Sequence, residues 1–582
     1  MSTFNTLAQE ASAQWEALQS RPWIRVGMAI CGKAAGAEEV FRALRRALDG
    51  KGVEATLTPV GCIGLCFAEP LIDIQLPGHP RIFYQHLTPT LAEALVEDYL
   101  VKGNPRPDLA LGTLGGRVEG IPPLDEHPAW KPQVRIATRN CGRVEPANLS
   151  HYIANGGYRG LAKALAEMKP PQVIEEVTKS GLRGRGGAAF PTGTKWNFLA
   201  RAPGPVKYIL VNCEEGDPGA FNDKGILESD PFTLIEGCTI AGYATGASKG
   251  YVFIRHGHEG PIAITRKAIA EAYKAGLLGQ NILESGFSFD MEVALTGESY
   301  VSGEETALME AIEGKRAMPR SRPPFPAQVG LWGKPSNINN VKTLSYVPEI
   351  VARGGAWFGG IGTEKSKGTA IVCLSGHVNR PGWYEVPFGL TLRQVIEEIG
   401  GGTNTGRPVK LLQTGGPLGG VLGAERMDIA LDFDGMAQAG AIFGSGGVIV
   451  ADDTTCAVDL VRNLVAFCQF ESCGKCFPCR LGFTHMLEVL DRIAAGHGSP
   501  SDLDAMRSIG QAMSLGSLCG HGQLGFNPVQ SALRFCAEDF RVHIEERRCP
   551  TGVCQPTLSL PQRTLPEPVG GWYARRTPAA NP

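Results

Sequence analysis

No run of apolar residues in this 582-residue sequence approaches the ~18 that suggest a membrane span. The opening residues, MSTFNTLAQEASAQWEAL, lack a basic segment followed by an apolar one. A secretory signal is therefore not expected, and the expected location is the cytoplasm. An excess of charge is missing too: 56 Lys and Arg stand against 58 Asp and Glu, a formal net charge of −2. Such a balance leaves no electrostatic footprint for nucleic acid and no attraction to an anionic membrane surface. Internal repeats and low-complexity tracts are also absent. Glycine is abundant, with 75 residues, about 13% against a usual ~7%. Sixteen cysteines are scattered along the chain. Without an export signal, scattered thiols point to metal sites rather than a disulfide scaffold. At roughly 150 residues per domain, the length suggests about four domains.

Residues 1–23 form an N-terminal segment. Residues 24–102 follow a β-α-β-β-β-α order. Strands are expected over 24–30 and 53–60, and Val40, Phe41, Leu44 and Leu48 share one helical face between them. A hairpin surrounds the PGHP turn, and 91–101 form a closing helix. Residues 103–132, rich in Pro and Gly, are expected to be a linker. Residues 133–365 mix helical periods with short apolar strands and predict an α/β domain. Residues 366–450 predict a small β-rich module. From 451 to 555 the period is helical, with Leu460, Val461, Leu464, Val465 and Cys468 on one face. Residues 556–582 are Pro-rich and expected to be an extended tail.

The most specific motif is ESCGKCFPCR, which spaces Cys473, Cys476 and Cys479 as CxxCxxC. Cys519 follows in SLCGHG. Three thiols in one tight turn converge, and a remote fourth can close a cage around a [4Fe-4S] cluster. A zinc site with four cysteine ligands competes with this reading. Zinc normally takes two CxxC knuckles, and the second is missing here.

Residues 180–196, SGLRGRGGAAFPTGTKW, match GxGxxA at Gly184, Gly186 and Ala189. A Rossmann site needs a strand before this loop, and 171–179 is helix-like instead. The glycines still let backbone amides approach a phosphate, and Arg183, Arg185 and Lys195 add positive charge. An ordinary Gly-rich turn is the alternative. A strand over 208–211 runs into NCEEGDPGAFNDK, which places Asn212, Glu214, Glu215 and Asp217 at its carboxyl end. Ligands bind at that end in α/β sheets. GESYVSGEETALMEAIEGKR contributes Tyr300, Gly303, Glu304 and Glu305, although acidic residues at a helix start also suit the helix dipole. PRSRPPFPAQVGLWGKPSNINNVKT contributes an aromatic shelf and Asn339, Asn340 and Thr343. Together these segments suit a planar aromatic ligand carrying phosphate and sugar hydroxyls.

At these motifs the sequence resembles the NADH-binding flavoprotein subunit of respiratory complex I. It is especially similar to the corresponding subunits of soluble NAD-linked hydrogenases and formate dehydrogenases. The similarity spans about residues 133–555. It implies a multidomain α/β fold: a modified α/β FMN domain, a ubiquitin-like β-grasp module, then a helical bundle with one [4Fe-4S] cluster. It implies that Gly184, Arg185, Gly186, Gly187 and Lys195 hold the FMN phosphate region. Asn212, Glu214, Tyr300, Gly303, Glu304, Ile338, Asn339, Asn340 and Thr343 would complete the FMN site. Glu215, the residue expected to act in the reaction, and Asp217 would face the nicotinamide end of NADH, with Glu305 nearby. Phe190, Phe198 and Phe325 would form the adenine shelf, and Cys473, Cys476, Cys479 and Cys519 would hold the cluster. The implied activity is that of an FMN-dependent NADH dehydrogenase, or diaphorase, passing electrons singly to the cluster. The implied partners are a separate [2Fe-2S] thioredoxin-like subunit and a molybdenum or tungsten formate dehydrogenase or hydrogenase subunit, in a hetero-oligomer. The alternative is a non-catalytic electron-transfer and assembly subunit that no longer binds NADH. Four positions depart from the family: Asp217 for Glu, Lys342 for the Glu of NNVET, Ser302 for a frequent Cys, and His521 at a site often apolar. Lys342 and His521 are expected to shift flavin or cluster potentials.

Residues 24–102 resemble the thioredoxin-like ferredoxins, which bind [2Fe-2S] through CxxxxC and CxxxC. Cys62 and Cys66 supply the second pair. Cys31 begins the first, but Gly36 stands where its partner belongs. Either an unidentified fourth ligand completes the cluster, or the unit docks without one. Cys141 has no close partner in sequence and is expected to be structural. Cys549 and Cys554, in CPTGVC, make half a metal site at most. Cys213, Cys238, Cys373, Cys456, Cys468 and Cys536 are expected to be ordinary buried thiols.

Overall fold

Three sheets and a helical bundle follow one another along the chain. The computed structural model describes residues 2–297 and 299–555, so the expected tail lies outside the described residues. An N-terminal helix, Ser2–Gln19, precedes the first sheet. That sheet contains β1 (Trp23–Gly27), β2 (Thr56–Val60), β3 (Ile72–Gln75), β4 (Arg81–Tyr84) and β5 (Ala110–Leu114), in the order β2-β1-β3-β4-β5. β1 and β2 are parallel, and the other neighbours are antiparallel. The helix Ala37–Lys51 buries Val40, Leu44 and Leu48 against it, as their spacing predicts. Charge also enters this core: buried Arg25 pairs with Asp73 at 2.8 Å, and Asp73 also takes Arg81 at 2.7 Å. The linker expectation for 103–132 is corrected. Within that stretch β5 pairs with β4 and buries Leu111. The five-residue strand is bracketed by Pro and Gly turns, which hide its period.

The second sheet is wholly parallel, as expected for an α/β domain. It contains β6 (Tyr208–Cys213), β7 (Lys249–Arg255), β8 (Asp290–Thr296) and β9 (Ser336–Asn340), ordered β8-β7-β6-β9. The chain leaves β6 toward β7 on one side, and β9 returns on the other. That reversal opens a crevice beyond the carboxyl ends of β6 and β9. The helix Pro231–Thr245 is almost wholly buried behind the sheet. Its one carboxylate, Glu236, accepts from the Tyr152 hydroxyl at 2.6 Å, Tyr158 N at 2.7 Å and Leu161 N at 3.0 Å. These donors satisfy an acid that would otherwise be costly in that core.

The third sheet contains β10 (Thr369–Gly376), β11 (Gly382–Pro387), β12 (Val409–Thr414), β13 (Val421–Gly423) and β14 (Gly447–Asp452), ordered β11-β10-β14-β12-β13. Helices Ala457–Phe470, Phe477–Ala494, Pro500–Gly516, Asn527–Phe535 and Ala537–Glu545 follow β14. Val461, Val465, Cys468, Phe483, Met486, Leu490 and Ile493 fill the core between them. Among the described residues, no helix is long and apolar enough to cross a membrane.

Candidate active site

A cleft of about 1380 Å³ lies at the ends of β6 and β9. Sites for one drug-sized ligand occupy roughly 300–1,000 Å³, so this volume has room for more than one. Its wall gathers Gly184, Gly186, Phe190, Lys195, Phe198, Asn212, Glu214, Glu215, Asp217, Tyr300, Gly303, Glu304, Glu305, Phe325, Ile338, Asn339, Asn340, Thr343 and Cys519. Segments far apart in sequence thus meet at one place.

The Gly-rich loop follows the helix Pro170–Lys179, so its setting is not Rossmann-like. It lies against β9, where a Cβ on Gly186 would sit 3.0 Å from Asn340 Cβ. Gly187 has φ +118°, a left-handed conformation that favours glycine. Two residues of the expected loop set, Arg185 and Gly187, do not line the cleft. The Arg185 amide donates to Thr343 Oγ1 at 2.9 Å, but its guanidinium is buried away from the cleft. There it donates to the carbonyls of Thr369, Arg183 and Lys367 at 3.2, 2.7 and 2.6 Å. It also lies 4.8 Å from the Phe388 ring centre. Arg185 thereby pins the loop to the third sheet. Arg185→Ala leaves three carbonyls without their donor, at about 1–3 kcal/mol each where burial is complete. The expected result is destabilisation of about 3–5 kcal/mol, read as a lowered thermal midpoint. An unchanged midpoint would contradict the pinning role.

The acidic strand end is tightly wired. Asn212 Nδ2 donates to Gly303 O at 2.8 Å, and Asn212 Oδ1 accepts from Glu214 N at 3.1 Å. Glu214 accepts from Gly216 N at 2.9 Å and pairs with Arg255 at 3.2 Å. Burial pushes its carboxyl up to about 8, even against those donors. Glu215 sits at φ +42°, and its carboxylate accepts from Asp223 N at 2.6 Å and Lys224 N at 2.8 Å. Burial and neighbouring Asp223 push it up to about 7. Asp217 accepts from the Tyr300 hydroxyl at 2.7 Å and Ser445 Oγ at 2.8 Å. Its carboxyl is also raised, chiefly by burial. The two expected nicotinamide-facing acids therefore line the cleft with their oxygens already engaged.

Elsewhere in the wall, Lys195 is ion-paired with Glu305. Glu304 caps the helix Glu305–Ile312 through Thr306 N and Ala307 N, both at 2.9 Å, and pairs with Arg322 at 3.0 Å. Asn339 accepts from Trp196 Nε1 at 3.2 Å, and Asn340 donates to Asp223 at 2.5 Å. Lys342 is buried, donating to Asp223 at 2.8 Å and Asn222 at 2.6 Å. Burial opposes its charge, but Asp223 and Glu215 hold the ammonium above its usual range. Ile338 is buried in β9. Phe190, Phe198 and Phe325 are 45%, 55% and 55% exposed, which suits a stacking shelf. The first two rings are 6.4 Å apart. Asp223, Ser445 and Arg322 also line the cleft, and motif spacing marks none of them as a site residue. Asp223 stands within the quoted acidic motif, whereas Ser445 enters from a loop before β14 that carries no local signal.

The cysteine cluster borders this cleft. Cys476 precedes the helix Phe477–Ala494, whose first turn carries Cys479. Cys519 precedes the short helix Gly520–Gln523. The segments touch closely: a Cβ on Gly522 would lie 2.9 Å from Cys479 Cβ. Leu518 N donates to Cys476 Sγ at 3.3 Å. Among the described residues, Cys473, Cys476, Cys479 and Cys519 do not close to within 4.8 Å of one another, as thiolates around a single ion would. A CxxCxxC run closed by a remote fourth thiol fits a four-iron cluster better than zinc, which normally takes two CxxC knuckles. His521 lies between cleft and cluster, with ring centres 5.7 Å from Tyr300 and 5.1 Å from Phe483. Burial chiefly lowers its pKa and so opposes an imidazolium charge there, while the Cys468 carbonyl and Glu471 act the other way. Its Nε2 lies 2.8 Å from Cys468 O, while Nδ1 has no partner among the described residues.

At the N-terminal unit, Cys31, Cys62 and Cys66 converge within 4.8 Å. Trp383 Nε1 donates to Cys62 Sγ at 3.3 Å, and Ile30 N donates to Glu228 at 3.1 Å, so the thiols lie where three parts of the chain meet. A fourth thiol is absent from that group among the described residues. Three thiols fall one short of the usual [2Fe-2S] set. The position of Gly36 is a left-handed cap at φ +102°.

Comparison with known proteins agrees with this layout. Residues 177–349 match the Nuo51 FMN-binding domain. Residues 371–422 match the SLBB domain, and 459–543 match the NADH-ubiquinone oxidoreductase-F iron-sulfur binding region. The chain is 46% identical over 431 residues to the NADP-reducing hydrogenase subunit HndC of Solidesulfovibrio fructosivorans, covering 74% of this chain and 87% of that protein. It is 47% identical over 415 residues to the F 2 subunit of the NADH-quinone oxidoreductase of Rhizobium meliloti, covering 71% and 99%. A solved NAD+-reducing [NiFe]-hydrogenase in its H2-reduced state superposes with a TM-score of 0.64 at 28% identity, over 90% of this chain and 84% of that one.

Proposed function

Because the chain belongs to the family of complex I 51 kDa flavoprotein subunits, we propose that it is the NADH dehydrogenase subunit of a multisubunit oxidoreductase. The observation that carries this reading is the cleft that gathers the flavin motifs and has Cys519, an expected cluster ligand, in its own wall. Bound FMN would supply hydride exchange with NAD(H), and a [4Fe-4S] cluster would supply one-electron relay. The chain's own residues position and shield. Gly184 and Gly186 give backbone access for the phosphate region, while Asn212, Asn339, Asn340 and Thr343 offer polar edges. Phe190, Phe198 and Phe325 give adenine a place to stack at the mouth. No side chain need act as acid or base in hydride transfer, so placement dominates.

Cys519 in the wall, with the other three cysteines behind it, gives electrons an exit away from the nucleotide. The chain contains no second substrate site of comparable character among its described residues, which supports a partner that holds one. We assign that partner to a hydrogenase or a molybdenum or tungsten formate dehydrogenase, linked through a separate [2Fe-2S] subunit, in the cytoplasm. The names of the hydrogenase relatives support the first of these. The N-terminal unit is proposed to be a thioredoxin-like docking domain, and the SLBB region a β-grasp module. NADH-dependent reduction of ferricyanide by the purified, FMN-loaded chain tests the central reading. Turnover is expected. No turnover with FMN fully bound would leave the non-catalytic electron-transfer reading in its place.

A further inference from the structure

The CPTGVC pair, half a site by sequence, is completed in the fold by two distant residues. Cys456 precedes the helix Ala457–Phe470, and His543 lies on the last helix, Ala537–Glu545. Their ligand atoms and those of Cys549 and Cys554 all lie within 4.8 Å of one another. Cys456 Sγ is 3.6 Å from Cys554 Sγ and 3.7 Å from His543 Nε2. A tetrahedral ion bonded to sulfur at about 2.3 Å and nitrogen at about 2.0–2.1 Å has ligand edges of roughly 3.6–3.8 Å. The group therefore has the dimensions of a single-ion site.

The surroundings orient the donors. His543 Nδ1 lies 2.7 Å from Asp539 O. A carbonyl only accepts, so Nδ1 carries a proton and Nε2 is the ring nitrogen that faces the thiols and is available to an ion. The Asp539 carboxylate accepts from Ala457 N at 2.8 Å and Lys410 Nζ at 2.7 Å. The same residue thus supports the histidine and anchors the start of the helix beside Cys456. Cys456 and His543 are buried, and Cys549 and Cys554 are half-buried.

We propose that Cys456, His543, Cys549 and Cys554 form a structural zinc site. Three thiolates and one imidazole are a recognised zinc donor set, and four protein ligands leave no position for a reacting water. Loading takes the donors as three thiolates and one neutral imidazole, and the protons that the thiols and the imidazole hold in the metal-free chain pass to solvent. The ion joins the end of the helical region to the helix Ala457–Phe470, whose far end leads to Cys473. It therefore braces the frame that presents the proposed cluster ligands. Cys456 accordingly leaves the class of ordinary buried thiols.

The test is metal analysis of the full chain, with FMN and iron loaded, after expression in zinc-supplemented medium and gel filtration. About one zinc per chain is expected in addition to iron. Cys549→Ser and Cys554→Ser, made in the half-buried loop, are expected to lower zinc at least fivefold while FMN content is retained. Zinc-edge X-ray absorption of the unaltered chain is a second measurement that does not depend on variants folding. It should give three sulfur neighbours near 2.3 Å and one nitrogen near 2.0 Å. Absence of zinc, iron in its place, zinc unaffected by both variants, a different ligand set, or a Cys456–Cys554 disulfide in non-reducing thiol counts would each overturn the proposal.

Discussion

Cys479→Ser is expected to abolish the four-iron EPR signal of the NADH-reduced chain and to lower iron by about four per chain. The thiol is buried in the first turn of the helix Phe477–Ala494, with Ser472 Oγ 3.4 Å away. A serine hydroxyl does not ionise there to replace a soft thiolate ligand. The effect should be confined to the cluster. Of the four cysteines, only Cys519 stands in the cleft wall, so Cys479→Ser leaves the proposed flavin surface intact. FMN content should be unchanged. Ferricyanide reduction, drawn from the flavin, should stay within about threefold of the unaltered chain, whereas delivery to a partner subunit should fall by about 100-fold or more. Such a loss is about 2.7 kcal/mol of barrier or more. An unchanged EPR signal excludes Cys479 as a ligand. Loss of FMN together with iron would instead mean that the cluster and the flavin domain fold as one unit.

The parts of this arrangement differ in how far sequence alone reveals them. Alternation and helical spacing place β3, β4, β6 and the helix Ala37–Lys51 because each element announces itself over a few adjacent residues. β5 escapes because only five residues lie between Pro- and Gly-rich turns, too few to display a period. Site residues are legible where a motif keeps them together, as in the run from Asn212 to Asp217. Side-chain direction is not. Arg185 stands among phosphate-suited glycines, yet its guanidinium finds three carbonyls and aromatic rings on the other side of the loop. Lys195 and Glu305 neutralise each other across 110 residues, a pairing that no local pattern encodes. Cys456 and His543 are 87 positions apart, so a four-ligand group is seen as two isolated residues and a short Cys pair. Local periodicity reports on elements; ligand sets assembled by tertiary packing leave no such trace.

The KM for NADH should rise about three- to tenfold between pH 7 and pH 9, and Glu214→Gln should remove most of that rise. Burial raises the Glu214 carboxyl to about 8, although the Gly216 amide and Arg255 both favour its charged form. Below that pH the group is neutral; above it the cleft gains a negative charge. The diphosphate of a dinucleotide is anionic throughout, so binding favours the protonated carboxyl. A unit charge at roughly 10 Å with an effective dielectric of about 20 contributes about 1.7 kcal/mol of repulsion. Arg255, 3.2 Å from Glu214, offsets part of it. Stability follows the same sign. A free Glu ionises near 4.3, so between that pH and about 8 the unfolded chain holds fewer protons at this position than the fold does. Glu214 therefore lowers stability progressively as pH rises through that window, with no further loss above it. Glutamine keeps an oxygen for the Gly216 amide but cannot ionise, so its KM profile should be flatter and its stability at pH 9 no lower. Steady-state kinetics across pH, with FMN content measured at each point, decides the matter. A Glu214→Gln profile parallel to that of the unaltered chain would assign the pH dependence to another group, with Glu215, raised to about 7 by burial and Asp223, next in line.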